Sequence, residues 1–265
     1  MLKKLFIFTV ALLFFPYLAN AQIMIEQGKI VLNAEPNSTA SGEIVIHNTT
    51  NKEISIKSYF EDFAYKPPFD GAKDFMPQGV SPNSVGAWVS TSPTTFKLSP
   101  RSQQIVTYTV KVPEVFNEGH YGVLFFENAP ESASMGGKSI NLVSRTGSLF
   151  FVEPVTKSKT TVITDIKVKD NKIVMNFENK GNVIVVCHPV YNLITSDGNV
   201  VDRGDLENIY LPPSTVKDLT FDPKIKDDGT YTLMLSFDLQ DEDVINKEIT
   251  LTKNGSLISI DKISD

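Results

Sequence analysis

The chain has 265 residues, 41% of them hydrophobic, which is enough for one or two domains with real cores and excludes a disordered or collagen-like protein. Its 25 Lys and Arg against 31 Asp and Glu give a formal net charge of -6, and an acidic chain without a basic block is not expected to bind nucleic acid. A single cysteine, Cys187, excludes an internal disulfide framework and leaves no four-ligand zinc site, so neither a metal nor a cofactor is expected.

Residues 1–21 predict a secretory signal peptide. Lys3 and Lys4 give a positive start, residues 5–15 are apolar except for one threonine, and residues 19–21 fit the small-x-small cleavage rule. The apolar run is shorter than the roughly 20 residues that a membrane-spanning helix needs, so no span is expected after the signal is removed. We therefore expect a periplasmic or otherwise extracytoplasmic protein, with an uncleaved membrane anchor as the alternative.

The rest of the chain is predicted to form short β-strands separated by turns. In residues 103–112, apolar Val106, Tyr108 and Val110 alternate with polar residues, which is the period of a strand with one buried face. Residues 231–238 repeat this alternation in the second half of the chain. The pattern favours antiparallel sandwiches.

Further strands and one hairpin follow from the same pattern. Single strands are predicted over residues 23–32, 139–152 and 183–194, and the last of these should lie at a sheet edge or be bulged at Pro189. The Asn-Gly pair at 254–255, between two apolar segments, predicts a two-residue hairpin turn.

An internal repeat predicts two similar units. Residues 98–100 (LSP) precede a strand, an acidic turn and then residues 119–121 (GHY), and residues 211–213 (LPP) stand in the same relation to residues 229–231 (GTY). In each half an earlier strand leads into an Asn-rich turn, at residues 48–51 and 179–182.

The predicted fold is therefore all-β, with two tandem immunoglobulin-like sandwiches. The domains are expected to span residues 22–155 and 156–265, because residues 154–159 form a short, polar, proline-led connection. Tyr121 and Tyr231 stand where such sandwiches place a tyrosine corner, with the hydroxyl bonded to upstream backbone. Alternatively, both are ordinary half-buried strand tyrosines.

The sequence resembles the periplasmic chaperones of pilus and fimbria assembly and their wider relatives. The resemblance covers most of the chain beyond residue 21 and is carried by strand and turn motifs, which are more specific for fold than for function. The matching segments are residues 42–57, 84–89, 92–93, 96–106, 112–113, 119–121 and 125–126 in the first half and residues 179–182, 197–198 and 229–231 in the second.

The resemblance implies a two-domain protein that binds a secreted, pilin-like subunit by lending it a β-strand. In this mode backbone hydrogen bonds along an open sheet edge supply part of the affinity and alternate side chains supply the rest. The lent strand should be the last strand of the first domain, for which the candidate is residues 139–143, with Ile140 and Leu142 as the partner-binding side chains. In the alternative interpretation, Ile140, Leu142, Leu149 and Phe151 fill the core of their own domain.

The resemblance also implies a basic pair in the cleft that binds the terminal carboxylate of the subunit. By position Lys29 and Arg145 are the candidates. The basic-apolar-basic run of the family is replaced here by residues 146–148 (TGS), so a solvated surface role for both residues is the alternative.

Catalytic interpretations find no support in the sequence. Cys187 and His188 are adjacent, and neighbours along a strand point to opposite faces, so a nucleophile-base pair of these two residues is geometrically unfavourable and Cys187 is expected to be a buried apolar residue. Acidic clusters at 61–62 and 241–243 lack the spacing of a calcium-binding loop. We therefore predict no catalytic residue and no metal ligand; a hydrolase would need paired carboxylates facing a cleft.

Two non-enzymatic functions remain. One is a chaperone-like helper of surface-fibre assembly, and the other is a structural or adhesive cell-surface module that binds proteins without chaperone activity. Because this chain ends at Asp265 without an anchor after the second sandwich, the first function is favoured. Exposed sheet edges also make a homodimer possible.

Overall fold

The computed structural model describes residues 22–135, 138–240 and 244–264. The predicted signal peptide, residues 1–21, and the acidic cluster at 241–243 lie outside the described residues. No helix among the described residues is long and apolar enough to cross a membrane.

The first half of the chain forms a β-sandwich. One sheet has the strand order β1-β3-β8-β6, and the facing sheet has the order β2-β12-β9-β4-β5, with β7 also paired to β4; β10 and β11 form a hairpin of their own. The strands are β1 (Ile23–Ile25), β2 (Lys29–Ala34), β3 (Thr39–Asn48), β4 (Ile54–Tyr65), β5 (Lys73–Pro77), β6 (Val89–Ser92), β7 (Thr95–Leu98), β8 (Gln103–Lys111), β9 (His120–Asn128), β10 (Glu131–Met135), β11 (Lys138–Leu142) and β12 (Arg145–Pro154), with one 3-10 turn at Gly86–Trp88.

The second half forms another sandwich. A five-stranded sheet with the order β17-β16-β20-β21-β22 accompanies the sheet β13-β14-β19 and the two-stranded ribbon β15-β18. The strands are β13 (Thr161–Lys169), β14 (Lys172–Asn179), β15 (Val185–Cys187), β16 (Val190–Thr195), β17 (Val200–Asp205), β18 (Ile209–Leu211), β19 (Val216–Phe221), β20 (Gly229–Phe237), β21 (Ile245–Asn254) and β22 (Leu257–Ser264). The two immunoglobulin-like sandwiches confirm the predicted fold class.

No sheet combines described strands from both halves, and β12 and β13 are separated by residues 155–160. We accordingly propose the domain division 22–155 and 156–265.

The strand alternation predicts the core correctly in both domains. In β8, Val106, Tyr108 and Val110 are buried against the opposite sheet, while the residues between them face outward. In β20, Leu233 and Leu235 likewise lie fully inside the second core. Burial of such side chains is worth about 1.5–3 kcal/mol each, so the inward-facing residues of these two strands stabilise the two cores.

A buried asparagine at the same point of each repeat fixes the turn that follows it. Asn48 Nδ2 donates to the carbonyls of Lys52 and Leu98 at 2.7 and 3.1 Å, and its Oδ1 accepts from the Thr50 N–H at 2.9 Å. The internal repeat therefore reflects a shared set of hydrogen bonds, since an asparagine in the second copy makes the same side-chain contacts.

In the second domain, Asn179 is the residue that makes these bonds. Its Nδ2 donates to Val183 and Leu211 at 2.9 and 2.8 Å, and its Oδ1 accepts from the Gly181 N–H at 2.9 Å. Leu98 and Leu211 are the first residues of the two repeated tripeptides. The asparagine thus ties each turn to the segment that precedes the next alternating strand.

The structure divides each of the three single strands that the sequence predicts. Residues 23–32 form β1 and β2, which belong to opposite sheets because the chain crosses the sandwich at Gly28. Residues 139–152 form part of β11 and β12, with a break at 143–144. Residues 183–194 form β15 and β16 on either side of Pro189, which has no N–H for a ladder. Apolar residues recur within a few positions on both sides of Gly28 and Pro189, whereas the break at 143–144 is followed by the polar residues 145–148 (RTGS).

The predicted hairpin is confirmed, but its two turn residues are 255–256 rather than 254–255. Asn254 pairs with Leu257 as β21 turns into β22, and Gly255 has a φ of +58°, a left-handed conformation that glycine adopts at little cost.

The tyrosine-corner prediction is correct for Tyr231 and wrong for Tyr121. The Tyr231 hydroxyl donates to the Asp227 carbonyl at 2.9 Å, four residues upstream. The Tyr121 ring folds back over Gly119, where a Cβ would lie 2.0 Å from the tyrosine oxygen, but that oxygen accepts from the Ile184 N–H at 2.9 Å. Because Ile184 belongs to the second domain, this tyrosine joins the two sandwiches.

Candidate partner-binding edge and cleft

Strand β12 has an open edge over its first residues. It pairs with β9 along Arg145–Val152, whereas on its other side β2 pairs only with Leu149–Pro154. The Leu149 N–H donates to the Gly28 carbonyl at 3.0 Å, so odd-numbered residues of β12 point their backbone groups away from β9. Arg145 and Gly147 therefore present backbone donors and acceptors to a side on which no described strand pairs with them.

The hairpin of β10 and β11 continues this edge. Glu131 pairs with Leu142 and Met135 with Lys138, and among the described residues these two strands pair only with each other. Ile140 and Leu142 lie on β11, but their side chains lie outside what the structure describes. The expectation that residues 139–143 are the last strand of the domain is wrong, because β12 follows and closes the sheet.

Strand β12 has two apolar faces. Phe150 and Val152 are buried in the core of the first domain, whereas Leu149 and Phe151 belong to a separate aromatic cluster between the domains. The alternative interpretation, in which these residues fill the core of their own domain, is therefore wrong for Leu149 and Phe151. For Ile140 and Leu142 this interpretation stays open.

The outer face of this sheet carries many aromatic side chains. Phe151 contacts Tyr121 and Phe63 with ring centroids 5.2 and 5.8 Å apart, and Phe75 lies edge-on against Phe125 at 5.2 Å. Domain two covers part of this face with Ile184. The outer face of a sandwich sheet is usually polar, so this apolar face indicates a surface that packs against another domain or a partner.

Lys29 lies in the cleft between the domains. It is opposite Leu149 in the β2–β12 register, and its Nζ is 4.6 Å from the centre of the Phe151 ring. A cavity of about 300 Å³ opens beside it. Its lining residues are Lys29, Val31, Phe151, Glu153, Lys159, Ile184, Val186 and Gln240.

A second lysine, Lys73, approaches the same part of the cleft. Burial lowers its pKa, and the positive charge of Lys29 lowers it further. Its Nζ lies 4.7 Å from the Tyr65 ring centre and donates to the Gly71 carbonyl at 3.2 Å. Sequence analysis missed Lys73, since a lone lysine at the start of a short strand carries no motif.

Arg145 lies at the base of the β10–β11 hairpin rather than beside Lys29. One guanidinium nitrogen donates to Glu61 at 2.9 Å and to the Tyr59 hydroxyl at 3.3 Å, and the guanidinium carbon is 4.1 Å from the Phe125 ring centre. Lys29 pairs with Leu149, four residues further along β12, or about 13 Å at the usual rise of a strand. The structure therefore does not bring Lys29 and Arg145 together.

Each of the groups considered for chemistry is either buried or beside a polar partner. Cys187 is fully buried in the second core as expected, and burial raises the pKa of its thiol to about 12. His188 Nδ1 is 2.7 Å from Asn208 Oδ1, and Glu61 is paired with Arg145. Among the residues that the structure describes, no three His, Cys, Asp or Glu side chains group as a metal site would require.

Comparison with known proteins identifies the fold. No family model and no curated protein matches the sequence. The class 5 fimbriae chaperone CfaA is similar in structure, with a TM-score of 0.52 and 18% identity over 84% of this chain and 97% of that one.

A chain of a chaperone-tip adhesin complex from CFA/I fimbriae biogenesis gives a TM-score of 0.51 and 16% identity, over 85% of this chain and 97% of that one. The protein thus has the two-domain fold of fimbrial chaperones along most of its length.

Proposed function

We propose that the protein is an extracytoplasmic, non-catalytic chaperone of pilus or surface-fibre subunits, which it binds by adding a β-strand to them. The single observation that carries the proposal is the open edge of β12 at Arg145–Ser148, continued by the β10–β11 hairpin. The fold shared with fimbrial chaperones supports it.

The proposed edge would act through backbone and side chains together. Arg145 and Gly147 offer backbone groups that a neighbouring strand can pair with, and the alternation of Ile140 and Leu142 along the sequence would supply the side-chain part of the contact. Burial of these two side chains would contribute about 3–6 kcal/mol in total. Because association costs an estimated 4–15 kcal/mol, backbone bonds and a second contact are needed.

We propose that the cleft supplies that second contact, with Lys29 and Lys73 as the pair that binds a carboxylate of the subunit. Lys29 lowers the pKa of Lys73, so an anion between them would relieve their repulsion. Arg145, which is paired with Glu61, instead holds the base of the hairpin against Phe125. The carboxylate pair thus differs from the pair expected from position along the sequence.

The test is co-purification of the protein from its native envelope, followed by mass spectrometry of the bound species. We expect a small secreted subunit in a one-to-one complex. Recovery of glycan, or of no partner, would contradict the chaperone proposal and favour the surface-module alternative.

Matched variants locate the binding edge once a subunit is in hand. Ile140→Asp with Leu142→Asp should weaken its binding by at least tenfold, because charges on the added strand would have to be buried. The control is Leu257→Asp, since Leu257 is 68% exposed on the β21–β22 turn of the other domain. Equal affinity of the double variant and the control would exclude this edge.

Lys29→Ala and Lys73→Ala test the cleft in the same assay. Each should weaken binding, and the loss should shrink as salt rises, because the contact is ionic. Lys111→Ala, on the exposed end of β8, is the control. A loss that is the same at low and high salt would argue against carboxylate binding.

A further inference from the structure

The loop between β4 and β5 reaches from the first domain into the second. Phe69 packs against both the second core and the aromatic cluster between the domains, and its carbonyl accepts from the Tyr210 N–H at 2.9 Å. The Tyr210 ring stacks on Tyr65 with centroids 5.0 Å apart. Lys217, whose side chain is 2% exposed, donates to the Pro68 carbonyl. This loop therefore fixes one end of the interface with both polar and aromatic contacts.

Asn182 fixes the other end. Its Nδ2 donates to the Asn117 carbonyl at 2.8 Å and its carbonyl accepts from the Gly119 N–H at 2.9 Å, so it binds two residues of the first domain. Its Oδ1 accepts from the Ser158 N–H at 2.7 Å, and its own N–H donates to the Ser158 carbonyl at 3.0 Å. One side chain and its backbone therefore join the first domain, the connection and the second domain.

The connecting segment is held closely at this point. A Cβ on Gly181 would lie 2.0 Å from the Ser158 carbonyl oxygen, so only glycine permits this approach. Residues 155–160 are thus fixed to the second domain at Ser158 and are not a free tether. A short connection that is itself bonded restricts how far the domains can turn relative to each other.

Between these two ends, the β15–β18 ribbon presents a second apolar face. Val185 and Ile209 point into the core of the second domain, whereas Ile184, Val186 and Tyr210 pack on the aromatic face of the first. The ribbon therefore belongs to two packed layers. Rotation of one domain against the other would expose this face and break the hydrogen bonds at both ends.

We infer that Asn182 and Tyr210 are positioning residues that hold the two domains at one fixed angle in the free protein. Two contacts at opposite ends of an apolar interface oppose both hinge and twist motions, which a single contact would allow. The cavity beside Lys29 is formed jointly by both domains, so it is preformed rather than assembled on binding. Its use by a subunit rests on the proposed function; the fixed angle does not.

The test is a distance distribution between two spin labels in the free protein. The labels are placed at Glu43→Cys and Met234→Cys, which are exposed on the outer faces of the two domains. Cys187 can be retained because it is fully buried and burial raises the pKa of its thiol to about 12. We expect one narrow distribution for the protein without further changes.

Asn182→Ala combined with Tyr210→Ala should at least double the width of that distribution and speed tryptic cleavage after Lys157 in the connection. Asn192→Ala, a partly exposed asparagine on β16 of the same domain, is the control and should change neither. If the double variant fails to fold, each single variant should broaden the distribution by itself. A broad distribution in the parent protein, or an unchanged width in folded variants, would overturn the inference. Because no subunit is present, failure of the chaperone proposal would leave this result unaffected.

Discussion

Tyr121 and Tyr231 occupy the same place in the two repeats and use their hydroxyl groups differently. Tyr231 closes its own turn through Asp227, whereas Tyr121 accepts a hydrogen bond from Ile184 in the other domain. The residues before them also differ, since His120 stands where the second copy has Thr230. The repeat thus preserves what each sandwich needs to fold, and the first copy diverges where it meets the second.

The largest expected effect comes from what the two copies share. Asn48→Ala and Asn179→Ala should each reduce the free energy of unfolding of their own domain by about 3 kcal/mol, because each leaves two carbonyls and an N–H of a buried or part-buried turn without their side-chain partner. Denaturant titration followed by domain-specific probes measures this. A loss below about 1 kcal/mol in either domain would mean that water replaces the asparagine and that the two turns are not equivalent.

Removal of the tyrosine hydroxyl groups should reduce the free energy of unfolding by less than the asparagine substitutions do, and by a different amount at each tyrosine. Tyr121→Phe leaves the Ile184 N–H unsatisfied in a buried contact and should cost about 1–3 kcal/mol. Tyr231→Phe frees a carbonyl on an exposed turn that water can reach, so about 0.5–1.5 kcal/mol is expected.

Differential scanning calorimetry should show the difference between the two tyrosines. Tyr121→Phe should also move the unfolding temperatures of the two domains apart. Tyr231→Phe should lower the unfolding temperature of the second domain alone. The reverse assignment would contradict the interdomain role of Tyr121.

The sequence predicts the shared features well and the divergent ones poorly. Alternation identifies the cores around Val106 and Leu233 because apolar and polar residues follow the pleat. The strand break at Gly28 escapes because the apolar segments 23–25 and 30–32 on its two sides fit one strand, whereas at Pro189 the sequence predicts a bulge or an edge position and the structure has a complete break. The partner of Tyr121 escapes because no local pattern encodes a contact with a residue 63 positions away.

The residues of the candidate site are likewise predictable from the sequence only where a motif marks them. The resemblance to pilus-assembly chaperones gives Lys29, which lines the cleft, but it does not predict the β10–β11 hairpin and takes residues 139–143 as the last strand of the domain, where the structure has β12. Lys73 comes into the cleft only because β5 pairs with Tyr65 at the far edge of the sheet. That neighbour relation depends on the folded sheet and has no signature along the chain.

The smallest expected effect is a difference in acid sensitivity. Burial lowers the pKa of His120, which packs 4.1 Å from Trp88 with Nδ1 3.2 Å from the Ser84 carbonyl; Glu118 and this carbonyl oppose the shift. A histidine with a folded-state pKa below its unfolded value binds fewer protons when folded, so stability falls as pH drops below about 6.5. The first domain should therefore lose more stability than the second between pH 7 and 5.

His120→Thr, which copies the second repeat, should remove this pH dependence, and thermal unfolding at several pH values measures it. His188→Thr is the control, because His188 is exposed on the second domain. An unchanged pH profile in His120→Thr would assign the acid sensitivity to other groups.

The proposed function requires that a subunit strand pairs with the open edge of β12 and its hairpin. The most direct measurement is amide hydrogen exchange of the protein alone and in its purified complex. We expect new protection at residues 139–147, including the Arg145 and Gly147 amides, and little change at the edge strands β17 and β22. Protection confined to those second-domain edges, with residues 139–147 exchanging as before, would contradict it.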